Sequence, residues 1–386
     1  MRGKVVVAVT RCADYRPDTV RRAVEEGLTL LGPLASLLGP ARRLLLKPNL
    51  LHGDKPDRGS TTHPAVFGGV AAVLRDRGYD LSYGDSPAFQ SPRGAVVSSG
   101  FADVAAQYGV RLADFDSGEE RSHPGGRQHR VFFVARGALE AEAIVNLPKL
   151  KTHALTRMTG AVKNMFGVVP GLEKSWFHAR LPEEESFSRM LADLAGLIRP
   201  RLSIMDAVYG MEGNGPRNGS LVHTGLILMS SDPVALDATA CRIMGLDPAE
   251  VYLLSACVEY GLGVTDEREI EIRGIPLREA AGRPYALNPP NQPVFSKSPL
   301  LKYLKRFIVP RPVISDARCT RCLQCVKICP VQPKAVERGP GKRPPQYDYG
   351  RCIRCYCCQE TCPEGAIKSR VPFLGVLFHG LGKRFS

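Results

Sequence analysis

The sequence predicts an α/β protein of 386 residues, with a large, mostly parallel α/β domain followed by a small α+β domain rich in cysteine. Three observations carry this reading. Short apolar runs alternate with longer stretches of helical period, the pattern of strands joined by crossover helices. A stretch rich in proline and poor in pattern then interrupts the chain at 284–312. Beyond it, eight cysteines fall in two runs of identical spacing.

Taken in order, Lys4-Val-Val-Val-Ala-Val-Thr10 reads as a buried strand, because charge and Asp14 end the apolar run too early for a signal peptide. Residues 17–38 carry helical periodicity with Pro17 near the start. Leu44-Leu-Leu-Lys47-Pro-Asn49 is a strand that runs into a polar turn. Thr61-Thr62-His63-Pro64 precedes a helix from about Pro64 to Arg77, with Thr62 or His63 at the N-cap and the proline at the first helical position. Leu81–Pro87 is a strand and its loop, and 93–108 is the next helix. Strands are expected again at 131–135, 143–147, 202–206, 226–230 and 269–273, and helices at 184–198, 233–244 and 248–260.

The cysteine runs are Cys319-Thr-Arg-Cys322-Leu-Gln-Cys325-Val-Lys-Ile-Cys329-Pro330 and Cys352-Ile-Arg-Cys355-Tyr-Cys-Cys358-Gln-Glu-Thr-Cys362-Pro363, offset by 33 positions. Both fit C-x2-C-x2-C-x3-C-P, the spacing that holds [4Fe–4S] clusters in bacterial ferredoxins. A disulfide framework would need an oxidising compartment. A zinc site takes two C-x2-C pairs across a longer loop, not three cysteines in seven residues followed by Cys-Pro. The expected cofactors are therefore two [4Fe–4S] clusters in a ferredoxin-like iron–sulfur domain. In such domains the fourth cysteine of each run crosses over. That places Cys319, Cys322, Cys325 and Cys362 on one cluster, and Cys329, Cys352, Cys355 and Cys358 on the other. Cys357 is surplus, and Cys12, Cys241 and Cys257 read as small core residues.

The resulting division is an α/β domain over 1–295, a linker over 296–312, a two-cluster domain over 313–370 and an apolar, basic tail over 371–386. No apolar run approaches the ~20 residues needed to span a bilayer, and the thiols suit a reducing compartment, so the expected location is the cytoplasm. Leu300–Val309 and the tail are basic and amphipathic, which leaves peripheral membrane contact as a minor alternative. The net charge of +14 is lopsided: 18 Lys+Arg against 5 Asp+Glu from Lys297 onward, or +13, and 34 against 33 before it. Such a field steers an acidic redox partner, a ferredoxin, flavodoxin or oxidoreductase, toward the clusters. No nucleic-acid-binding signature accompanies the charge.

In parallel sheets ligands sit at the carboxyl ends of the strands. Polar clusters fall there: Lys47 and Asn49, Asp85 and Ser86, Asn146 with Lys149, Lys151 and His153, Asp206 and Glu212, and Ser231 and Asp232. Of these Lys47, Asn49, Asp85, Asp206 and Glu212, with His63 and Asn164, form the expected cofactor-binding set. No dinucleotide or P-loop glycine motif follows a strand. The segment 146–178 is densest in donors. One continuous helix over 153–164 would set His153 and Asn164 ~16 Å apart, so a break near Gly160 is expected, with Thr159 capping a short helix whose free N–H groups face an anion. Lys163 would rise from its first turn, with Lys149, Lys151, His153 and His178 as further candidates for charge clamping and proton transfer.

The segments Lys47-Pro-Asn-Leu, Thr61-Thr-His-Pro64, Gly84-Asp-Ser-Pro87, Asn146-Leu-Pro-Lys-Leu-Lys-Thr-His153, Thr159-Gly-Ala-Val-Lys-Asn164, Asp206–Gly213 and Asp232-Pro-Val-Ala-Leu-Asp237 resemble the DUF362 family, whose members are commonly fused to a two-cluster ferredoxin domain. The resemblance implies iron–sulfur binding and leaves the activity open. More locally, His153, Gly160, Lys163, Pro170-Gly171 and His178 are similar in order and spacing to the nickel-pincer lactate racemases. That resemblance implies a cofactor-bearing lysine at Lys163, a nickel ligand at His178 and an acid/base at His153. This chain departs from it at Thr159-Gly-Ala. The expected function is an iron–sulfur oxidoreductase that passes low-potential electrons to an anionic small-molecule substrate or cofactor in the α/β domain. A ferredoxin-like carrier or docking protein, and a metal-dependent racemase or isomerase, are the alternatives.

Overall fold

The computed structural model describes residues 3–87, 90–171, 173–288, 309–372 and 376. Among the described residues, twelve strands lie before residue 284: β1 (Val5–Arg11), β2 (Arg43–Pro48), β3 (Asp80–Tyr83), β4 (Arg111–Leu112), β5 (Gly118–Ser122), β6 (Val131–Ala135), β7 (Ala143–Leu147), β8 (Lys149–His153), β9 (Arg157–Thr159), β10 (Leu202–Glu212), β11 (Ser220–Ser230) and β12 (Ile270–Gly274). Ten of them form one sheet in the order β12-β1-β11-β10-β7-β2-β3-β4, with β8 beside β10 and β9 beside β8. Six of its nine pairings are parallel. β5 and β6 make a separate antiparallel ribbon.

Alternate residues of each central strand enter different cores, as the period of two demands. Val7, Val9 and Leu45 pack on one face of the sheet, whereas Ala8, Leu44 and Leu46 pack on the other. Both faces are covered by helices, so β2 and β7 are apolar along most of their length. The helices 64–75, 184–198 and 233–244 lie close to the expected spans. Two expected helices are broken by local chemistry. The span 17–38 divides at Gly32-Pro33, where glycine takes φ 105° and proline starts the next helix. The span 93–108 divides at Gly100, with φ 74°.

The stretch 149–159 is a β-hairpin rather than helix. Pro148 has no N–H to extend the β7 ladder, and the chain resumes at Lys149 in a shifted register along β10, where Asp206 faces Lys149 and Met211 faces Lys151. The turn is closed by His153, whose Nδ1 accepts the N–H groups of Leu155 (3.0 Å) and Thr156 (3.3 Å).

After the residues outside the description, β13 (Arg311–Ile314) pairs antiparallel with β16 (Ile367–Arg370), and β14 (Val336–Glu337) with β15 (Gln346–Tyr347). β13 thus begins within the stretch read as linker. Two short helices, Gln324–Ile328 and Cys357–Thr361, pack between these ribbons around Ile328, Val336, Ile367 and the cysteines. The amphipathic segment 300–309, apart from Val309, and most of the tail lie outside the described residues.

This small domain is seated on the large one through the carbonyls at the end of helix Cys357–Thr361. A helix C-terminus leaves its last carbonyls without partners, and here residues of the large domain supply them. Arg217 donates to Thr361 O (3.0 Å), Arg58 to Pro363 O (2.7 Å), and Asn218 to Gln359 O (3.3 Å) and Cys362 O (3.2 Å). Arg217 is held in turn by Asp54 at 2.6 Å, with both side chains largely buried.

Candidate functional site

The carboxyl ends of β2, β3 and β7 come together, and their polar residues first serve to fix one another. Lys47 is fully buried, with Nζ 2.6 Å from Asp85 Oδ1 and 3.0 Å from Pro48 O. The other Asp85 oxygen accepts Leu50 N at 2.7 Å. Asn164 donates to Lys47 O (3.2 Å) and Asn146 Oδ1 (2.7 Å), and its own oxygen accepts from Asn49 (3.1 Å). A buried charge persists only when it is paired and hydrogen-bonded, and Lys47–Asp85 meets both conditions. Gly167 makes the pairing possible, because a Cβ there would lie 1.9 Å from Asp85 Oδ1.

Lys163 and Asn164 sit on the four-residue helix Ala161–Asn164, which begins after Gly160. The expected break is present, but its cap is different. Thr159 ends β9, and the free amides of Ala161 and Val162 point at Asp237, 2.6 and 2.9 Å from its two carboxylate oxygens. The anion at this helix terminus is the protein's own. Gly160 admits it, since a Cβ would stand 2.1 Å from Asp237 Oδ1. Burial pushes the Asp237 carboxyl up to about 7 against the two amides that lower it.

Above this floor is a cleft enclosing about 760 Å³ of empty space, part of it open solvent. From the large domain it is lined by Asn49, His52, Asp85, Ser86, Lys151, His153, Lys163, Asn164, Phe166, Lys174 and His178, and from the small domain by Ile328, Cys357, Glu360 and Thr361. Lys151 Nζ is anchored by Asn49 Oδ1 (2.8 Å) and Ser60 O (2.5 Å), and Lys174 Nζ by Ser86 Oγ (3.0 Å) and Val169 O (2.6 Å). Burial lowers both ammonium groups to about 7, and Lys163 and Lys149 push Lys151 further down. Lys163 is also lowered by burial, opposed by Glu360 and Cys357. Among the described residues its ammonium has no hydrogen-bond or ion-pair partner, unlike Lys47, Lys149, Lys151 and Lys174.

Two histidines present unmatched polar atoms here. His153 uses Nδ1 on the hairpin amides, which leaves the proton of the neutral ring on Nε2. That atom stands 3.1 Å from Glu360 Oε1, but out of line for a hydrogen bond. His178 stacks on Phe187 at 4.3 Å, and its buried Nδ1 has no partner. Burial depresses His153 to about 4 and His178 to about 3. Burial pushes the Glu360 carboxyl up, but His153, Lys163 and His178 outweigh it and bring it to about 2. Both histidines are neutral at pH 7, and Glu360 favours the ammonium form of Lys163 against the burial that lowers it.

Five expected residues do not line the cleft: Lys47, spent on Asp85 beneath it, and Lys149, Asp206, His63 and Glu212. Lys149 and Asp206 form a buried pair at 2.8 Å, joined by Tyr15, whose OH is 2.7 Å from Lys149 Nζ and 3.0 Å from Asp206 Oδ1. His63 stacks on Tyr15 at 3.6 Å, donates its backbone N–H to Asp206 and caps the helix at Pro64 through Nδ1. This knot ties β8, β10 and the helix together. Glu212, the last residue of β10, pairs with Arg283 at 2.7 Å and accepts Ala286 N. The residues not anticipated are Glu360, Lys174, His52 and the capping Asp237.

The cysteine runs repeat in three dimensions as they do in sequence. Arg321 and Leu323 take φ 60° and 59°, and their counterparts Arg354 and Tyr356 take 58° and 62°. Such left-handed residues between the cysteines turn successive thiols to one side. Cys319, Cys322, Cys325 and Cys362 line one cavity with about 330 Å³ of empty space. Cys352 lies within electrostatic reach of Cys355 and Cys329. All twelve cysteines are free thiols. Ala366 N (3.3 Å) and Ala335 N (3.4 Å) donate to Cys362 and Cys329 sulfur, and Tyr347 OH to Cys358 sulfur at 3.1 Å. Free thiols around a cavity, with donors aimed at their sulfurs, fit a cluster that such hydrogen bonds tune.

Comparison with known proteins accords with this geometry. A family model described as a 4Fe-4S dicluster domain matches residues 311–363, and the protein binds two [4Fe–4S] clusters through that region. A thylakoid-associated protein of Synechocystis sp. is 35% identical over 260 residues, covering 67% of this chain and 80% of the relative. Among solved structures, the lactate racemase apoprotein of Thermoanaerobacterium thermosaccharolyticum aligns with a TM-score of 0.43 at 12% identity, over 64% of this chain and 58% of that one. A structural-genomics protein from Thermotoga maritima aligns at 0.33 and 11%, over 64% and 59%. A second family model, described as a domain of unknown function, DUF362, matches residues 44–242, more than half of the sequence and all of the cleft's large-domain wall; the chain belongs to the DUF362 family.

Proposed function

We propose that the protein is an iron–sulfur reductase. Electrons pass singly from the clusters to an anionic small molecule held in the cleft between the two domains. The carrying observation is that the ammonium of Lys163, unpaired among the described residues, shares the cleft with Cys357 and Glu360 of the second cysteine run. An anion there would pair with Lys163, and Lys151 and Lys174 would reinforce the field. Cys329, Cys352, Cys355 and Cys358 hold the cluster nearer this cleft, and Cys319, Cys322, Cys325 and Cys362 hold the other. Reduction of an unsaturated bond takes two electrons, delivered one at a time by a low-potential carrier, and two protons. Lys163 or Lys151, at the lowered ammonium pKa that burial imposes, is placed to supply the protons, and the His153 Nε2–H to hydrogen-bond the anion.

The reading also places the protein in a reducing compartment such as the cytoplasm, where thiols and clusters persist. No helix among the described residues is long and apolar enough to cross a membrane. The thylakoid-associated relative supports peripheral contact with a membrane surface as an addition to this location.

The test is an anaerobic preparation of Lys163→Ala. It should keep both clusters by iron content and lose substrate-dependent reoxidation of the reduced clusters. Unchanged reoxidation would remove Lys163 from the site.

A further inference from the structure

The two sets of thiols stand in different surroundings. Each set has two buried thiols, Cys325 and Cys362 in one, Cys355 and Cys358 in the other. The first alone has an exposed one, Cys322, beside half-buried Cys319, while Cys329 and Cys352 are half-buried. Between Cys355 and Cys358 lies Cys357, which lines the cleft. Ile328, the neighbour of Cys329, lines it too. The cluster on Cys329, Cys352, Cys355 and Cys358 is therefore the inner one, and the cluster on Cys319, Cys322, Cys325 and Cys362 is the outer one.

The exposed face of the outer set is basic. Arg318 and Arg321 flank Cys319 and Cys322 and are exposed. Arg321 donates to Lys342 O, which brings exposed Lys342 and Arg343 to the same rim. Its nearby acids are Asp316, paired with Arg321 at 2.7 Å, and Glu364. Arg318, Lys342 and Arg343 have no acidic partner among the described residues.

We propose that this rim docks an acidic one-electron carrier protein, and that electrons run from the outer cluster to the inner one and on to the cleft. Each step moves one electron. The carrier's reduced centre is oxidised, the outer cluster is reduced, and no bond or proton changes. Electron tunnelling weakens steeply with distance, so an exposed ligand such as Cys322 marks the side from which a protein donor can act. Complementary charge raises the encounter rate and makes it salt-dependent. The last leg of the route rests on the cleft being the site of reduction, and the first leg does not.

The test uses the full-length protein with its clusters. Reduced acidic ferredoxin is mixed with it anaerobically, and bleaching of the cluster absorbance is followed. Arg318→Glu with Lys342→Glu should slow the second-order reduction at least about tenfold at low salt and flatten its salt dependence. The same pair should weaken ferredoxin binding in calorimetry, and should not slow reduction by methyl viologen radical, which is a cation. Reversal of the exposed Lys368 and Arg370 on β16 should leave the ferredoxin rate unchanged. The proposal fails if the rim variant reduces at the native rate, or if Lys368 and Arg370 take the loss instead. It also fails if the rim binds RNA or anionic vesicles in place of the carrier. Turnover is not read in this experiment, so an error about the cleft leaves its outcome unaltered.

Discussion

His153 and Glu360 face each other at 3.1 Å across the seam between the domains, one from the β8 hairpin and the other from the helix between two cluster cysteines. The histidine is fixed by the two amides at Nδ1, so only Nε2 can respond to what lies in the cleft. Glu360 is the carboxylate that an anionic ligand would have to approach. Glu360→Gln removes that repulsion while keeping the shape. It should tighten binding of a probe dicarboxylate such as malonate about tenfold at pH 7, about 1.4 kcal/mol, with iron content unchanged. Weaker binding by calorimetry would mean that Glu360 orients the ligand rather than repels it.

Lys151 and Lys174 give the cleft a pH response near neutrality. Each is a cation below its pKa of about 7 and neutral above it, because burial disfavours the charged form. Affinity for the probe anion should therefore be highest below pH 7 and fall as pH rises through it. The fall should approach about tenfold for each charge lost. Lys174→Met should remove part of this titration. His153 and His178, depressed to about 4 and 3, should add nothing between pH 6 and 9. An affinity flat across that range would contradict the assignment.

The strands and the cysteine spacing were legible because each is written locally. The apolar run Leu44–Leu46 and the offset of 33 positions between the cysteine runs need no partner to be read. The roles of the polar residues were less legible, since charge at a strand end says nothing about what it meets. Lys47, Lys149 and Lys163 look alike in sequence. Two are consumed by Asp85 and Asp206, which lie 38 and 57 positions away, and the third is left unpaired among the described residues. Glu360 was hidden for the same reason, because its partner is 207 positions upstream across a domain seam. The hairpin at 149–159 was not legible, because it is defined by pairing along β10, more than 50 positions away.

The glycine and aspartate beneath Lys163 should be sensitive to small changes. Gly160→Ala would place a methyl 2.1 Å from Asp237 Oδ1 and push the helix Ala161–Asn164 away from its cap. Asp237→Asn turns one amide acceptor into a donor, leaving Ala161 or Val162 N–H without a partner at a cost of about 1–3 kcal/mol. Both variants should melt earlier and bind the probe anion more weakly than native protein. Native affinity in Gly160→Ala would show that Lys163 does not depend on this cap.

The crossing of the fourth cysteines is testable by deletion. Cys362→Ala should remove the outer cluster, whose other ligands lie in the first run, and Cys329→Ala the inner one. Each variant should keep one cluster, distinguished by iron content and by the electron spin resonance signal of the reduced protein. A Cys362→Ala protein that retained the cluster of Cys319, Cys322 and Cys325 would reverse the assignment.

The geometry of the cleft depends on the seam, and the seam on Arg217. Its guanidinium spans Asp54 at 2.6 and 2.8 Å on the large domain and the carbonyl of Thr361 on the small one. Removing it leaves Asp54 as a largely buried charge with a hydrogen bond from Ser60 at 2.8 Å and the more distant charge of Arg58 for support among the described residues. Breaking a buried pair in this way costs about 3–5 kcal/mol, and the helix Cys357–Thr361 loses a cation from its C-terminal end as well. Arg217→Ala should therefore loosen the docking without touching any cluster ligand. Iron content and cluster absorbance should be native, and hydrogen exchange should accelerate at 213–219 and 357–363. Affinity for the probe anion should fall, because the small-domain wall of Cys357 and Thr361 no longer closes the cleft opposite Lys163. Arg58→Ala, which removes one more exposed contact to Pro363 O, should show the same signature to a smaller degree. If Arg217→Ala instead lost iron while its exchange rates stayed native, the arginine would serve the cluster rather than the seam.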